Sequence, residues 1–320
     1  MDPVGVGVIG TGFWGRNHSR VFSELPNVEL EALCDIDEER AKSVAQRYEV
    51  PKVYSNHRDL LKDGNVDAVT ICTPSNTHGE LAIAALRAGK DVLIEKPMAT
   101  EVSEARRVMI LAKKLDNIVS VGFIERFNPV VQKTKNMIEE GQIGEVLLSY
   151  ARRIGSWPER IGDVGVIRDT AVHDIDLATY LFNQCPQAVF ARGGKLRHHK
   201  FTDYVQATLV FPRNKTALVE ANWLTPRKKR DMQVTGTNGV IKLNFLTQDV
   251  SIEKMDYEIT PTVKFEEPLR LELSHFATCA QKRTKPLAAV DDGYRATVIA
   301  EAIINSIASN RVVKLKDMPG

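Results

Sequence analysis

Long apolar runs are missing from this 320-residue chain, and no stretch approaches the roughly 20 residues needed to span a bilayer. Cysteine is scarce: Cys34, Cys72, Cys185 and Cys279 stand far apart, and none forms a C-x-x-C pair. That spacing argues against a disulfide framework and fits small apolar thiols in a reducing compartment. An excess of one charge is lacking too. The 43 basic and 41 acidic residues leave a net charge of +2, which suggests no nucleic-acid or membrane surface. No basic-then-apolar leader precedes the first apolar run, so the expected location is cytoplasmic. There is no internal repeat or low-complexity segment. An apolar content of 43% with 26% charged residues is ordinary for a globular protein, and the length suffices for two cored domains.

The chain does carry a glycine-rich turn in an informative place. Val6-Gly7-Val8-Ile9 opens into Gly10-Thr11-Gly12-Phe13-Trp14-Gly15, and a helical pattern follows at once. This is G-x-G-x-x-G between a strand and a helix, the dinucleotide-binding arrangement. The first glycine permits the turn, the second lets backbone approach a pyrophosphate, and the third lets helix pack on strand. The helix start offers N–H groups and a positive dipole end to the phosphates. An alternating run over 28–34, a second strand, ends at Asp35, about twenty residues past the last glycine, where an acid can bond ribose hydroxyls. Its charge repels a 2′-phosphate, so NAD is expected over NADP. Asp37 is the better helix cap, and Arg40 reads as a solvated helix-face residue.

Short strand and helix patterns then alternate up to residue 122. They predict an α/β doubly wound parallel sheet, a Rossmann domain over 1–122. Beyond it the rhythm changes to alternating runs over 146–153, 204–211, 216–223, 230–235 and 240–245, with helices over 129–140, 169–182, 271–282 and 291–309. That pattern predicts a second α+β domain over 123–320, with a large, mostly antiparallel open sheet.

Three segments hold candidate chemistry. Thr73-Pro74-Ser75-Asn76-Thr77-His78 follows a buried strand and serves either as helix capping or as cofactor contact. Glu95-Lys96-Pro97 ends the next strand; Pro97 bars helical continuation, and the Lys96 ammonium could stabilise oxygen charge as a carbonyl forms. In Asp169-Thr170-Ala171-Val172-His173-Asp174, positions four apart share a helix face, so Asp169 and His173 could converge on one atom. His173 suits removal of an alcohol proton, with Asp169 orienting it. A capping Asp169 on a polar helix face is the plainer account, and no second ligand cluster supports a metal.

These motifs together resemble the glucose–fructose oxidoreductase/inositol dehydrogenase/rhizopine catabolism (Gfo/Idh/MocA) family, in order and over essentially the whole chain. The resemblance implies a bound nicotinamide cofactor, Lys96, Asp169 and His173 as catalytic residues, and homo-oligomers, dimers or tetramers, built through the open sheet. The cofactor contacts expected are Gly10, Thr11, Gly12, Phe13, Trp14, Gly15, Asp35, Ile36, Thr73, Pro74, Asn76, His78, Glu95, Lys96, Pro97 and Ile124. Within the family, residues 121–129, 163–167 and 222–226 are similar to UDP-N-acetylglucosamine 3-dehydrogenases. That likeness sets the expected substrate, oxidised at carbon 3. Arg126, Arg152, Arg153 and Arg160 suit a diphosphate, and Arg126 and Arg153 join Lys96, Asp169 and His173 as expected substrate contacts. Arg227-Lys228-Lys229-Arg230 could serve the same anion, and a solvated loop between two strands is the plainer account. An inositol or free-sugar dehydrogenase is the alternative enzyme. A regulator that senses NAD without reacting is the alternative of another class.

Overall fold

The computed structural model describes residues 2–158 and 163–315, and Arg160 lies outside them. The chain divides into two compact units, 1–124 with 269–294, and 125–268 with 295–320.

In the first unit, β1 (Val4–Ile9), α1 (Phe13–Glu24), β2 (Val28–Cys34), α2 (Glu38–Tyr48), β3 (Lys52–Tyr54) and α3 (His57–Leu60) form one half. The other half is β4 (Ala68–Ile71), α4 (His78–Arg87), β5 (Asp91–Ile94), α5 (Val102–Leu115) and β6 (Val119–Val121). All strands run parallel in the order β3-β2-β1-β4-β5-β6, the doubly wound Rossmann order. Every residue of β1, β4 and β5 is buried, as expected of strands covered on both faces. Chain order reverses between β1 and β4, and ligands of such sheets bind outside the strand ends at that point.

The second unit contains α6 (Pro129–Glu139), β7 (Val146–Ile154), α7 (Val172–Phe182), β8 (Ala188–Gly194), β9 (Tyr204–Val210) and β10 (Thr216–Asn222). It continues with β11 (Lys229–Gly236), β12 (Gly239–Asn244), β13 (Asp249–Glu253) and β14 (Glu258–Ile259). Helices α8 (Pro268–Lys282) and α9 (Val290–Ser309) and strand β15 (Val313–Lys314) end the described chain. The nine-stranded sheet runs β14-β13-β12-β11-β7-β10-β9-β8-β15, antiparallel except between β7 and β10. Residues alternate across it. Ala151, Ala207, Val219 and Val234 face a core shared with Ile175, Leu177, Ile299 and Ile303 of α7 and α9. On the other face Leu148, Phe190, Leu218 and Tyr204 are exposed, and this is the face that the expected self-association would use. Among the described residues, no helix is long and apolar enough to cross a membrane.

The expected second domain over 123–320 does not match this division. Residues 269–294 return to the first unit because Leu269, Leu273 and Phe276 of α8 join the cluster of Val4, Phe22 and Leu33. Leu273 and Phe276 are 0% exposed. Each fully buried side chain of this kind contributes about 1.5–3 kcal/mol.

Candidate active site

The candidate residues fall in both units. In the first, each loop leaves a strand at its carboxyl end, and one further backbone bond extends the pairing. Gly10 N–H donates to Cys34 O at 2.7 Å, Cys72 N–H to Ile9 O at 2.8 Å, and Glu95 N–H to Ile71 O at 3.0 Å. The loops therefore start from fixed points. Gly10 has φ +91°, which a side chain would resist. A Cβ on Gly15 would fall 1.7 Å from Gly10 O, whereas a Cβ on Gly12 would meet nothing within 4 Å. The α1 amino terminus has no side-chain cap and no acidic residue in its first turn. Beside it Phe13 is 55% exposed and Ile36 is 93% exposed, two apolar side chains facing water next to the turn and next to Asp35.

Asp35 is 6% exposed and heavily bonded. It accepts from Thr11 N–H at 2.7 Å, Thr11 Oγ1 at 2.8 Å and Asp37 N–H at 3.0 Å. Arg40 is exposed on α2 as expected, yet it also reaches Asp35, with Nη2 2.7 Å from Oδ1. Burial alone would raise the Asp35 pKa; the Arg40 and Thr11 bonds overcome it and bring it down to about 2. Asp37 caps α2 as expected, accepting from Arg40 N–H at 3.1 Å.

Thr77 stands at the N-cap of α4 without a side-chain cap bond, and its hydroxyl donates instead to Pro74 O at 2.7 Å. Pro74 and Asn76 are exposed and Thr73 is half-buried. His78 is buried, its ring held between Pro97 O at 2.8 Å and Thr73 O at 2.9 Å. Glu95 and Lys96 are buried, and the Lys96–Pro97 peptide is cis. Lys96 N–H donates to Glu95 Oε2 at 3.2 Å, so the carboxylate braces the turn that presents the lysine.

His18 was not singled out by the sequence, yet it completes this half. It is 0% exposed on α1, with Nδ1 2.9 Å from Thr70 Oγ1 and Nε2 3.1 Å from Glu95 Oε1. Burial opposes its charge, but Cys72 and Glu95 outweigh burial and raise its pKa to about 10. Glu95 is held below its ordinary value despite burial, through His18 and Lys96. A histidine whose folded pKa lies above its unfolded value stabilises fully below about pH 6.5, and this is lost as pH rises toward the folded pKa. His18→Gln is therefore expected to lower the urea midpoint most at pH 6, with the deficit shrinking steadily toward pH 10. A deficit independent of pH would mean that the pair is uncharged.

In the second unit, residues 167–171 form a π-turn that leads into α7. Asp169 N–H donates to Gly165 O at 3.0 Å, so Asp169 lies inside the turn and is not a cap. Asp169 lies in this turn and His173 in the first turn of α7, both half-buried. Such π-turns are common at functional sites.

Arg126 and Arg153, the expected diphosphate contacts, are used otherwise. Arg126 is 3% exposed and grips Asp176 at 2.8 and 2.6 Å. Arg153 is 2% exposed and bonds Asp174 at 2.8 Å and Glu125 at 2.7 Å. Burial works against the Arg153 charge, but Asp174 and Glu125 more than compensate. A buried guanidinium needs fixed carboxylates, and these arginines have them. Arg152 pairs with Asp231 at 2.8 Å. Arg227, Lys228 and Lys229 are exposed, and Arg230 lies on β11, in line with the alternating run over 230–235. It is half-buried, 3.7 Å from Glu125, and its pKa is lowered by burial and by Arg153.

Residues 4–123 match the family described as "Oxidoreductase family, NAD-binding Rossmann fold", and residues 131–242 match the GFO/IDH/MocA C-terminal domain. The chain belongs to the GFO/IDH/MocA oxidoreductase family. An inositol 2-dehydrogenase from Saccharopolyspora erythraea is 30% identical, with 98% of this chain and 96% of that protein covered. Among solved structures, UDP-N-acetylglucosamine 3-dehydrogenase from Acidithiobacillus ferrooxidans matches with TM-score 0.89 and 25% identity, over 97% of this chain and 99% of that one. Levoglucosan dehydrogenase in complex with NADH and L-sorbose shares the fold, with TM-score 0.91 and 24% identity over the whole of both chains.

The protein is thus an NAD-dependent oxidoreductase. Its own residues fit that cofactor. Open space over Gly12 and the uncapped α1 terminus suit a pyrophosphate. Asp35 stands at the strand end where an acid meets ribose hydroxyls, and such hydroxyls would share it with Thr11, Asp37 and Arg40.

Proposed function

We propose that this GFO/IDH/MocA member oxidises a ring secondary alcohol of a cyclic polyol or free sugar, of the inositol class. The observation that carries the class of substrate is the fate of Arg126 and Arg153. Both guanidinium groups are already committed to buried carboxylates, which removes the main support for a diphosphate contact. The likeness to inositol 2-dehydrogenases over 98% of the chain supports the same class.

In the proposed reaction, His173 accepts the hydroxyl proton while Asp169 orients its ring. Lys96 donates a hydrogen bond to the same oxygen and stabilises negative charge as the carbonyl forms. Bound NAD would accept the hydride. Glu95 and His18 act further back, by holding the turn on which Lys96 is carried. An imidazole has its ordinary pKa near working pH, so it can take the proton in turnover and release it afterwards.

UDP-N-acetylglucosamine, oxidised at carbon 3, is the second reading, supported by the match to the Acidithiobacillus ferrooxidans enzyme and by half-buried Arg230, a remaining cation beside the carboxylate cluster. NAD reduction measured with myo-inositol, scyllo-inositol, glucose, levoglucosan and UDP-N-acetylglucosamine separates the two. Turnover is expected with at least one of the uncharged substrates. Turnover confined to the sugar nucleotide would overturn the first reading and support the second.

A further inference from the structure

The 222–226 segment, one of those whose likeness sets the expected substrate, places a tryptophan against the π-turn. Trp223 follows β10 and is 4% exposed. Its indole Nε1–H donates to Thr170 Oγ1 at 2.8 Å, and Thr170 Oγ1 donates to Asp169 Oδ2 at 3.0 Å. All three residues lie in the second unit.

Direction matters here. An indole nitrogen can only donate, while a hydroxyl donates one hydrogen and accepts at its lone pairs. With the indole filling the acceptor side, the Thr170 hydrogen is left to point at the carboxylate. Both backbone and ring of the tryptophan are anchored. The Trp223 backbone N–H donates to Asp203 O at 3.0 Å, and Trp157 packs edge-on against the indole, with centroids 5.5 Å apart at 82°. Asp203 is 0% exposed and accepts from the backbone N–H groups of Leu196, Arg197 and His198, which ties that loop to the end of β10. The donor therefore sits on a rigid support, and the carboxylate at the far end sits on a turn of a kind that lacks ordinary α-helical spacing.

We propose that Thr170 and Trp223 are positioning residues that fix the Asp169 carboxylate through a one-way hydrogen-bond relay, so that Asp169 can hold His173 for proton removal. This inference rests on the catalytic reading of Asp169 and His173 given above. It adds the requirement for a hydroxyl at position 170 and an indole donor at position 223. A structural threonine would need only its methyl group and its volume, both of which valine keeps.

The test compares Thr170→Val, Thr170→Ser, Trp223→Phe and Asp169→Asn, each alone, and Thr170→Val with Asp169→Asn. Turnover is followed as NAD reduction with whichever of the five substrates above the wild-type protein oxidises. Thr170→Val is expected to lower kcat about 10–100-fold with KM little changed, since a displaced catalytic group costs turnover more than binding. Thr170→Ser is expected to recover most of that loss. In the Asp169→Asn background Thr170→Val should add almost nothing, because the group it positions has already gone. Independently of turnover, the Trp223 indole N–H resonance, assigned by its absence in Trp223→Phe, should move in Thr170→Val and stay near its place in Thr170→Ser.

Three outcomes overturn the relay: an unshifted indole resonance in Thr170→Val, full kcat in Thr170→Val while Asp169→Asn is impaired, or a serine variant as weak as the valine variant. Full kcat in Asp169→Asn overturns the catalytic reading itself and removes the ground for the relay. The two failures are thus distinguishable.

Discussion

Replacing Lys96 with methionine is expected to reduce kcat by about 10²–10³-fold, about 3–4 kcal/mol of transition-state stabilisation, the usual effect of losing one donor to a developing oxyanion. Methionine keeps the length and apolar volume of the lysine stem and removes the ammonium. The residue is 8% exposed, so the surrounding packing already accepts a long apolar side chain there. The fold should therefore survive, and NAD binding, followed by quenching of tryptophan fluorescence, should stay close to wild type. His173→Gln is expected to lower kcat about 10²–10⁴-fold by removing the proposed general base. On the proposed reading the two side chains act on one oxygen, and residues acting as a unit are not additive, so the double variant should be little worse than the more damaging single one. Wild-type turnover in Lys96→Met would exclude the lysine from the reacting oxygen. Losses that multiply fully in the double variant would show that the two side chains serve separate steps.

The parts of the molecule legible in the sequence are those fixed by neighbours in the chain or by a motif's spacing. The glycine turn and Asp37 as the cap of α2 follow from local geometry, with partners a few residues apart; Asp35 follows from its set distance beyond the turn, although its partner Thr11 lies 24 residues away. The strand–helix alternation that made the first unit readable has the same origin. Arg126 and Arg153 illustrate the opposite case. A guanidinium is read as a free anion site until its carboxylates are known, and Asp176 lies 50 residues from Arg126, Asp174 21 and Glu125 28 from Arg153. His18 was hidden in the same way, since its partner Glu95 is 77 residues distant and a lone histidine in a helix has no signature. The return of α8 to the first unit was equally out of reach, because an apolar helix stripe states that it must be buried without saying against which core. The 3-residue β3 and the 2-residue β14 and β15 are too short to show any period. One signal was present and unused: Trp223 stood beside an Asx turn built by Asn222, whose Oδ1 accepts from Leu224 N–H at 3.1 Å, and a strand ending so firmly is a good mount for a donor.

Serine at Gly12 and alanine at Gly15 are expected to fail in different ways, although both glycines belong to one motif. At Gly15 the new methyl would sit 1.7 Å from Gly10 O, so either α1 or the turn must move. The fold should lose about 3 kcal/mol or more, seen as a lower thermal midpoint with and without NAD. At Gly12 the new Cβ meets no protein atom within 4 Å, and the residue already stands at the N-cap of α1 with no side-chain cap. Serine is favoured at that position over glycine by a few tenths of a kcal/mol, so the cofactor-free thermal midpoint should hold or rise slightly. Its hydroxyl would accept from the very N–H groups that face a pyrophosphate, and its bulk would stand where the phosphates approach. NAD affinity should fall about 100-fold, about 2.7 kcal/mol. The same loss should appear as a smaller stabilisation by saturating NAD, because ligand that binds only the folded state stabilises it in proportion to the logarithm of its concentration over Kd. Isothermal titration with NAD and melting with and without it therefore separate the two glycines. A Gly12→Ser protein that binds NAD as tightly as wild type would place the pyrophosphate away from this turn.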